Sequence, residues 1–171
     1  MTEAASREDV LRQFDHARDE FVEAVRGAPD VALRFKPAGE DYTLGGLIVH
    51  VSDVLRRYAK VLDDLREHSF GAFVAPPHVT SAEDADQILY GFGGESRGRV
   101  LEAMRLAHSV LLDAVRTIPE ADFSRQAEVT YGSGDPYPTS TADVVGWVAD
   151  HYREHTQQIG QLILAWADAT R

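Results

Sequence analysis

Two histidines four residues apart, His151 and His155, stand in the middle of a helical stripe near the end of the chain. Residues at this spacing share one helix face, with Cβ atoms about 5–6 Å apart. Their apolar companions Val144, Val148, Ile159, Leu162 and Trp166 make that face the inward one. Two inward imidazoles can grip a single ion, and neutral imidazole suits zinc, nickel, copper or iron. The same spacing also fits two core histidines hydrogen-bonded to side chains of neighbouring helices, because a buried ring nitrogen must find some partner. Spacing alone leaves both readings open.

A third ligand separates a site from a coincidence, since stable sites generally use at least three protein ligands. His50 is the candidate. It lies three residues after Leu47 and four before Val54, on the inward face of another helical segment. Asp53 is beside it on nearly the same face, placed to orient the ring. His108 fits a buried or boundary position, while His16, His68 and His78 sit beside a stripe or near helix ends. None of these four is expected to bind metal. No catalytic base is assigned by spacing. His151-Tyr152-Arg153-Glu154-His155 also matches the H-x-x-E-H pattern of inverted zinc peptidases. Those enzymes take a further acidic ligand far downstream, and sixteen residues follow His155. Glu154 is therefore expected to be a solvated partner for Arg153 or another surface charge.

The elements that must carry these residues follow from periodicity. A first helix is expected over about Ser6–Arg26, with Ser6 as its N-cap and Val10, Phe14, Ala17, Phe21 and Ala24 on one face. A second runs from about Leu44 to His68, capped by Thr43; Gly45-Gly46 in its first turn suits close packing better than room for a ligand. Residues 69–93 form a long connection in which Ser81 could open a short helix through Tyr90. A third long helix spans about Glu95–Thr117, and a fourth about Thr141–Asp168, capped by Ser140 or Thr139. Ala127–Tyr131 reads as a short extended piece, too isolated to make a sheet. The expected fold is all-α, a four-helix bundle of one domain over residues 1–171, with a long crossover between its second and third helices. Tyr58, Trp147 and Tyr152 are candidates for the wall of a pocket, with plain core packing as the simpler role.

Bulk properties narrow the chemistry. There is no cysteine, which removes disulfides, iron–sulfur clusters, thiolate zinc sites and a cysteine nucleophile together. The net charge of −11 repels phosphate backbones, so no nucleic-acid partner is expected. No apolar run reaches the roughly 20 residues that cross a bilayer, and Met1–Phe14 lacks a signal-peptide core. Cytoplasmic location and no membrane partner are the expectation.

The segment Ala149-Asp150-His151-Tyr152-Arg153-Glu154-His155-Thr156-Gln157-Gln158-Ile159 resembles the last-helix motif of the DinB-like proteins. That group includes the mycothiol-dependent maleylpyruvate isomerases and the bacillithiol S-transferases. Thr43-Leu44-Gly45-Gly46-Leu47-Ile48-Val49-His50-Val51 is similar to the family's second-helix motif. The resemblance implies up-down-down-up topology and a divalent metal ion held by His50, His151 and His155. Zinc or nickel comes first as the ion, with manganese or iron as alternatives. A homodimer, a small-molecule substrate and a low-molecular-weight thiol cofactor are also implied, although the thiol-recognition residues of the better-characterised branches are not found in this chain. The function expected is a metal-dependent transferase or hydrolase, with a non-catalytic metal- or ligand-binding bundle as the alternative. An open position on the ion would serve such chemistry, since bound metal lowers the pKa of water to about 7 and acts on a thiol by the same electrostatics.

Overall fold

The computed structural model describes residues 6–171. Residues 1–5, part of the N-terminal stretch read above for a leader, lie outside the described residues. Helix α1 spans Arg7–Gly27, and the Ser6 hydroxyl accepts the Asp9 backbone N–H at 3.1 Å. Its stripe delivers Phe14, Ala17 and Phe21 to the core as periodicity predicts. Helix α2 covers Gly46–Glu67, α3 Ala82–Tyr90, α4 Arg97–Arg116 and α5 Thr141–Ala169. A 3-10 turn, Gly94–Ser96, leads into α4 where the sequence reading had already begun the helix. At the start of α5, Ser140 and Asp143 cap each other's backbone N–H groups reciprocally. Helix α1 packs along α5 and α2 along α4, while α2 also meets α5 and α3. Their inward faces form one continuous core that runs from Phe14 to Leu162.

Thr43 is not the N-cap of α2; Gly45 holds that position in helical geometry. The Thr43 hydroxyl still accepts the Gly46 N–H at 3.0 Å and donates to the Ile88 carbonyl at 3.1 Å. One side chain thus ties the start of α2 to the end of α3. Gly46 is required by the same crossing, because a Cβ there would stand 2.5 Å from the Ile88 carbonyl oxygen and 2.7 Å from the Ile88 Cα. Both are backbone atoms and cannot swing away, which settles packing as the reason for this glycine. Gly46→Ala should therefore destabilise the fold by about 1–3 kcal/mol, the usual range for overpacking. Urea unfolding checks this, and a change below roughly 0.5 kcal/mol, the scale of a surface substitution, would show that α3 moves aside freely.

The all-α expectation needs one correction. A small sheet joins β1 (Phe73–Val74), β2 (Ala127–Thr130) and β3 (Pro136–Thr139) in that order. Strand β1 runs parallel to β2, with Phe73 opposite Val129, and β3 runs antiparallel with Thr139 opposite Ala127. The Ala127–Tyr131 piece is extended as expected, yet it is not isolated. Its partners escape periodicity because β1 has two residues and β3 reads Pro-Tyr-Pro-Thr. Proline is tolerated there because β3 is an edge strand. Among the described residues, no helix is long and apolar enough to cross a membrane.

Candidate metal centre

Helix α2 carries His50 and helix α5 carries His151 and His155 to a common point. One ring nitrogen from each lies within 4.8 Å of those of the other two. Ring centroids are 5.0 Å apart for His50–His151 and for His50–His155, and 4.3 Å for His151–His155. His155 is buried, whereas His50 and His151 are half-buried.

The hydrogen bonds of the rings tell which nitrogens face the common point. His155 Nδ1 is 2.8 Å from Gln158 Oε1, and the Gln158 amide N–H donates to Glu40 Oε2 at 3.0 Å. With its NH2 committed to Glu40, the Gln158 amide presents its oxygen to the ring. Nδ1 of His155 must then carry the proton, which leaves the Nε2 lone pair free. Nε2 of His155 and Nε2 of His151 are both buried and have no hydrogen-bond partner. Orphaned buried nitrogens cost free energy unless something accepts their lone pairs. A divalent cation is such a group, and a three-imidazole donor set suits one.

Electrostatics keep these lone pairs available. Burial, then the neighbouring charges of His155 and His78, lowers the His50 pKa to about 4. Burial, then His155 and His50, lowers His151 to about 3. His155 is lowered by burial as well, against an opposing contribution from Gln158. All three rings are therefore neutral at pH 7, the form that ligates metal.

Other positions differ from the sequence reading. Asp53 does not orient His50: its carboxylate pairs with Arg56 at 2.6 Å. The neighbour that fixes His50 is Tyr42, stacked on it at 4.6 Å and edge-on to His155 at 6.1 Å. Glu154 is exposed, but Arg153 pairs with Asp150 at 2.7 Å instead. Tyr152 takes the simpler of its two expected roles, plain core packing. It lies in the core with its hydroxyl 3.1 Å from His108 Nδ1, while His108 Nε2 meets Asp15 at 2.9 Å. Tyr58 and Trp147 do face each other, at 6.3 Å. Gln158, Glu40 and Tyr42 were missed in the sequence. Gln158 could have been found, since three residues after His155 is within one helical turn of it. Glu40 and Tyr42 belong to a segment without periodicity.

Helices α2 and α5, joined through this histidine cluster and backed by a small sheet, define a helical protein with a candidate three-imidazole metal centre. The chain belongs to the DinB superfamily, whose family model matches residues 13–159 and so includes all three histidines. No curated protein matches the chain.

The relay behind His155 yields a prediction of its own. Gln158→Ala should weaken zinc or nickel binding about 10–100-fold, the usual loss when a partner behind a ligand is removed. Glu40→Gln should give a smaller loss, because Glu40 acts at one remove. Competition with a chromogenic chelator measures both, and unchanged affinity in Gln158→Ala would show that the ring needs no such orientation.

Proposed function

We propose that His50, His151 and His155 hold one divalent metal ion, zinc or nickel before manganese or iron, and that the protein is a metal-dependent transferase or hydrolase of a small molecule. A low-molecular-weight thiol is the proposed co-substrate. The observation that carries this reading is the pair of buried, partnerless Nε2 atoms on His151 and His155 beside His50. A cation at this point would supply Lewis acidity toward an oxygen or sulfur donor brought to it. The three rings add no charge of their own to the site. Gln158 holds His155 in the tautomer that directs Nε2 inward, and Tyr42 limits rotation of His50. The half-buried edges of His50 and His151 leave the side by which a substrate enters.

We take the fold to be one four-helix-bundle domain with up-down-down-up topology, supported by the contacts of α1 with α5 and of α2 with α4. The proposed setting is a cytoplasmic homodimer with neither nucleic-acid nor membrane partner; the net charge of −11 supports the first of these exclusions. A second reading, metal or ligand binding without turnover, draws on one observation. Among the described residues, the carboxylate hydrogen-bonded to the cluster is Glu40, and it acts through Gln158 rather than facing a substrate.

Elemental analysis of untagged protein, followed by thiol transfer to an electrophile with and without reloaded metal, decides between the two. Stoichiometric metal with metal-dependent turnover supports the enzyme, and metal without turnover supports the binding module. Absence of metal even after reloading removes both.

A further inference from the structure

Arg57 is a half-buried arginine with no carboxylate partner among the described residues, in a chain of net charge −11. The other half-buried arginines, Arg7, Arg18, Arg97, Arg105 and Arg153, all form ion pairs. Arg57 instead sits against aromatic rings, its guanidinium carbon 5.8 Å from the Tyr58 centroid and 5.9 Å from that of Tyr131. Its Nε donates to the Pro76 carbonyl at 3.3 Å, which engages one N–H of the five and leaves the forked end free. Asp143, whose charge reaches Tyr131, is committed to the cap of α5. Arg57 shares a cleft with Asp53, Asp63 and Asp84 and forms no ion pair with them, so its forked end can take an anion from elsewhere.

The position of this guanidinium relates it to the metal centre. Arg57 follows His50 by seven residues, two turns along the same face of α2, or about 10 Å at 1.5 Å per residue. On α5, Trp147 precedes His151 by four residues, one turn along the same face. The Trp147 ring lies between Tyr58 at 6.3 Å, Tyr131 at 6.2 Å and Tyr137 at 5.9 Å. Across from it, the segment that Arg57 holds at Pro76 brings His78 to 6.4 Å from His50. The seam between α2 and α5 therefore has histidines at one end, a free guanidinium at the other, and an indole along the side.

We propose that this seam binds a planar aromatic molecule with one anionic group: the anion on Arg57, the ring against Trp147, and the opposite end of the ring toward His50 and His151. A carboxylate matches the forked guanidinium, and a ring stacks on indole at little entropic cost. This substrate class rests on the metal centre proposed above, while the site itself is formed by residues that do not ligate metal.

The test uses the Trp166→Phe protein, in which Trp147 is the one remaining tryptophan and gives a single indole N–H signal by NMR. Benzoate is titrated into metal-free and metal-loaded protein. The expected result is a saturable shift of the Trp147 signal in both forms. Benzyl alcohol, without the charge, and cyclohexanecarboxylate, without the ring, should each bind at least about tenfold more weakly. Arg57→Gln should raise the benzoate midpoint at least about tenfold, and Arg57→Lys should recover part of the loss. Each variant is first shown to keep the dispersed spectrum of the parent. No saturable shift, or the same midpoint in Arg57→Gln, would overturn the proposal. So would binding seen only with metal and indifferent to Arg57, since benzoate would then be a ligand of the ion. That last outcome leaves the metal centre intact, whereas failure to load metal with the titration unchanged removes the metal centre and spares the aromatic site.

Discussion

His151→Ala is expected to abolish stoichiometric metal binding while leaving the metal-free fold close to its original stability. The two halves follow from one side chain. In the folded chain His151 Nε2 is buried and partnerless, so the ring carries a desolvation cost of about 1–3 kcal/mol that only a bound ion offsets. Removing the ring removes that cost. It also removes some apolar contact, but the residue is half-buried and the space left opens toward solvent. The two effects oppose each other, and the net change in metal-free stability should stay within about 1 kcal/mol. Affinity has no such offset. Loss of one of three protein ligands should exceed the 10–100-fold typical of a partner behind a ligand, so more than about 100-fold is expected. His50→Ala and His155→Ala should reproduce the loss of affinity, with His155→Ala also freeing Gln158. Chelator competition and urea unfolding of the metal-free proteins supply the two measurements. If His151→Ala retained affinity within tenfold, the ligand assignment would be wrong. If the metal-free variant lost several kcal/mol, His151 would be a packing residue first.

The inward placement of these histidines was legible because a helix repeats. Val144, Val148, His155, Ile159 and Leu162 fall at steps of four, seven, four and three, all near whole helical turns, and all are buried in α5. The same regularity put Val100, Met104, Ala107, Leu111 and Val115 inside α4. Periodicity has no term for which helix faces which, so the meeting of His50 with His151 and His155 came from resemblance to a family and not from spacing. The parts that were not legible share a cause. Tyr42 and Glu40 reach the cluster through a segment held by isolated backbone hydrogen bonds, Leu44 N–H to Phe35 O and Gly45 N–H to Leu33 O. Strand β1 is too short to show alternation, and it pairs across more than fifty residues, Phe73 with Val129. Asp53 illustrates the opposite error. Spacing alone sets it three residues from His50, but Arg56, one turn on, offers a charge and takes the carboxylate.

The metal-free protein should lose stability steeply between pH 7 and pH 5, before its carboxylates take any large part. Four histidines have pKa values lowered on folding: His50 to about 4, His151 to about 3, and His155 and His108 in the same direction. Burial is the leading cause for each. For His108 it outweighs the opposing hydrogen bond from Asp15, with the charges of Asp15 and Asp19 also opposing and that of Arg18 assisting. In the unfolded chain each ring titrates near its ordinary value of about 6.5. Below that pH the unfolded state binds more protons than the folded one, so stability is fully present above about 6.5 and is lost as pH falls through it. The loss continues down to the folded values near 4 and 3. Asp53 works in the opposite sense, because burial raises its pKa and favours the folded state once it is protonated. Its protonation as pH falls therefore offsets part of the histidine loss. A tenfold bias in proton affinity is worth about 1.4 kcal/mol per group. Discounted for the solvent that reaches them, His50 and His151 together should cost about 2 kcal/mol or more, and His155 and His108 add in the same direction. Urea unfolding of metal-free protein at several pH values gives the slope directly. His151→Ala should flatten that slope by one histidine's share even where its stability at pH 7 is unchanged. A stability that stays level from pH 7 to pH 5 would mean that the rings are already solvated in the folded chain, and the case for a preformed metal centre would fall with it.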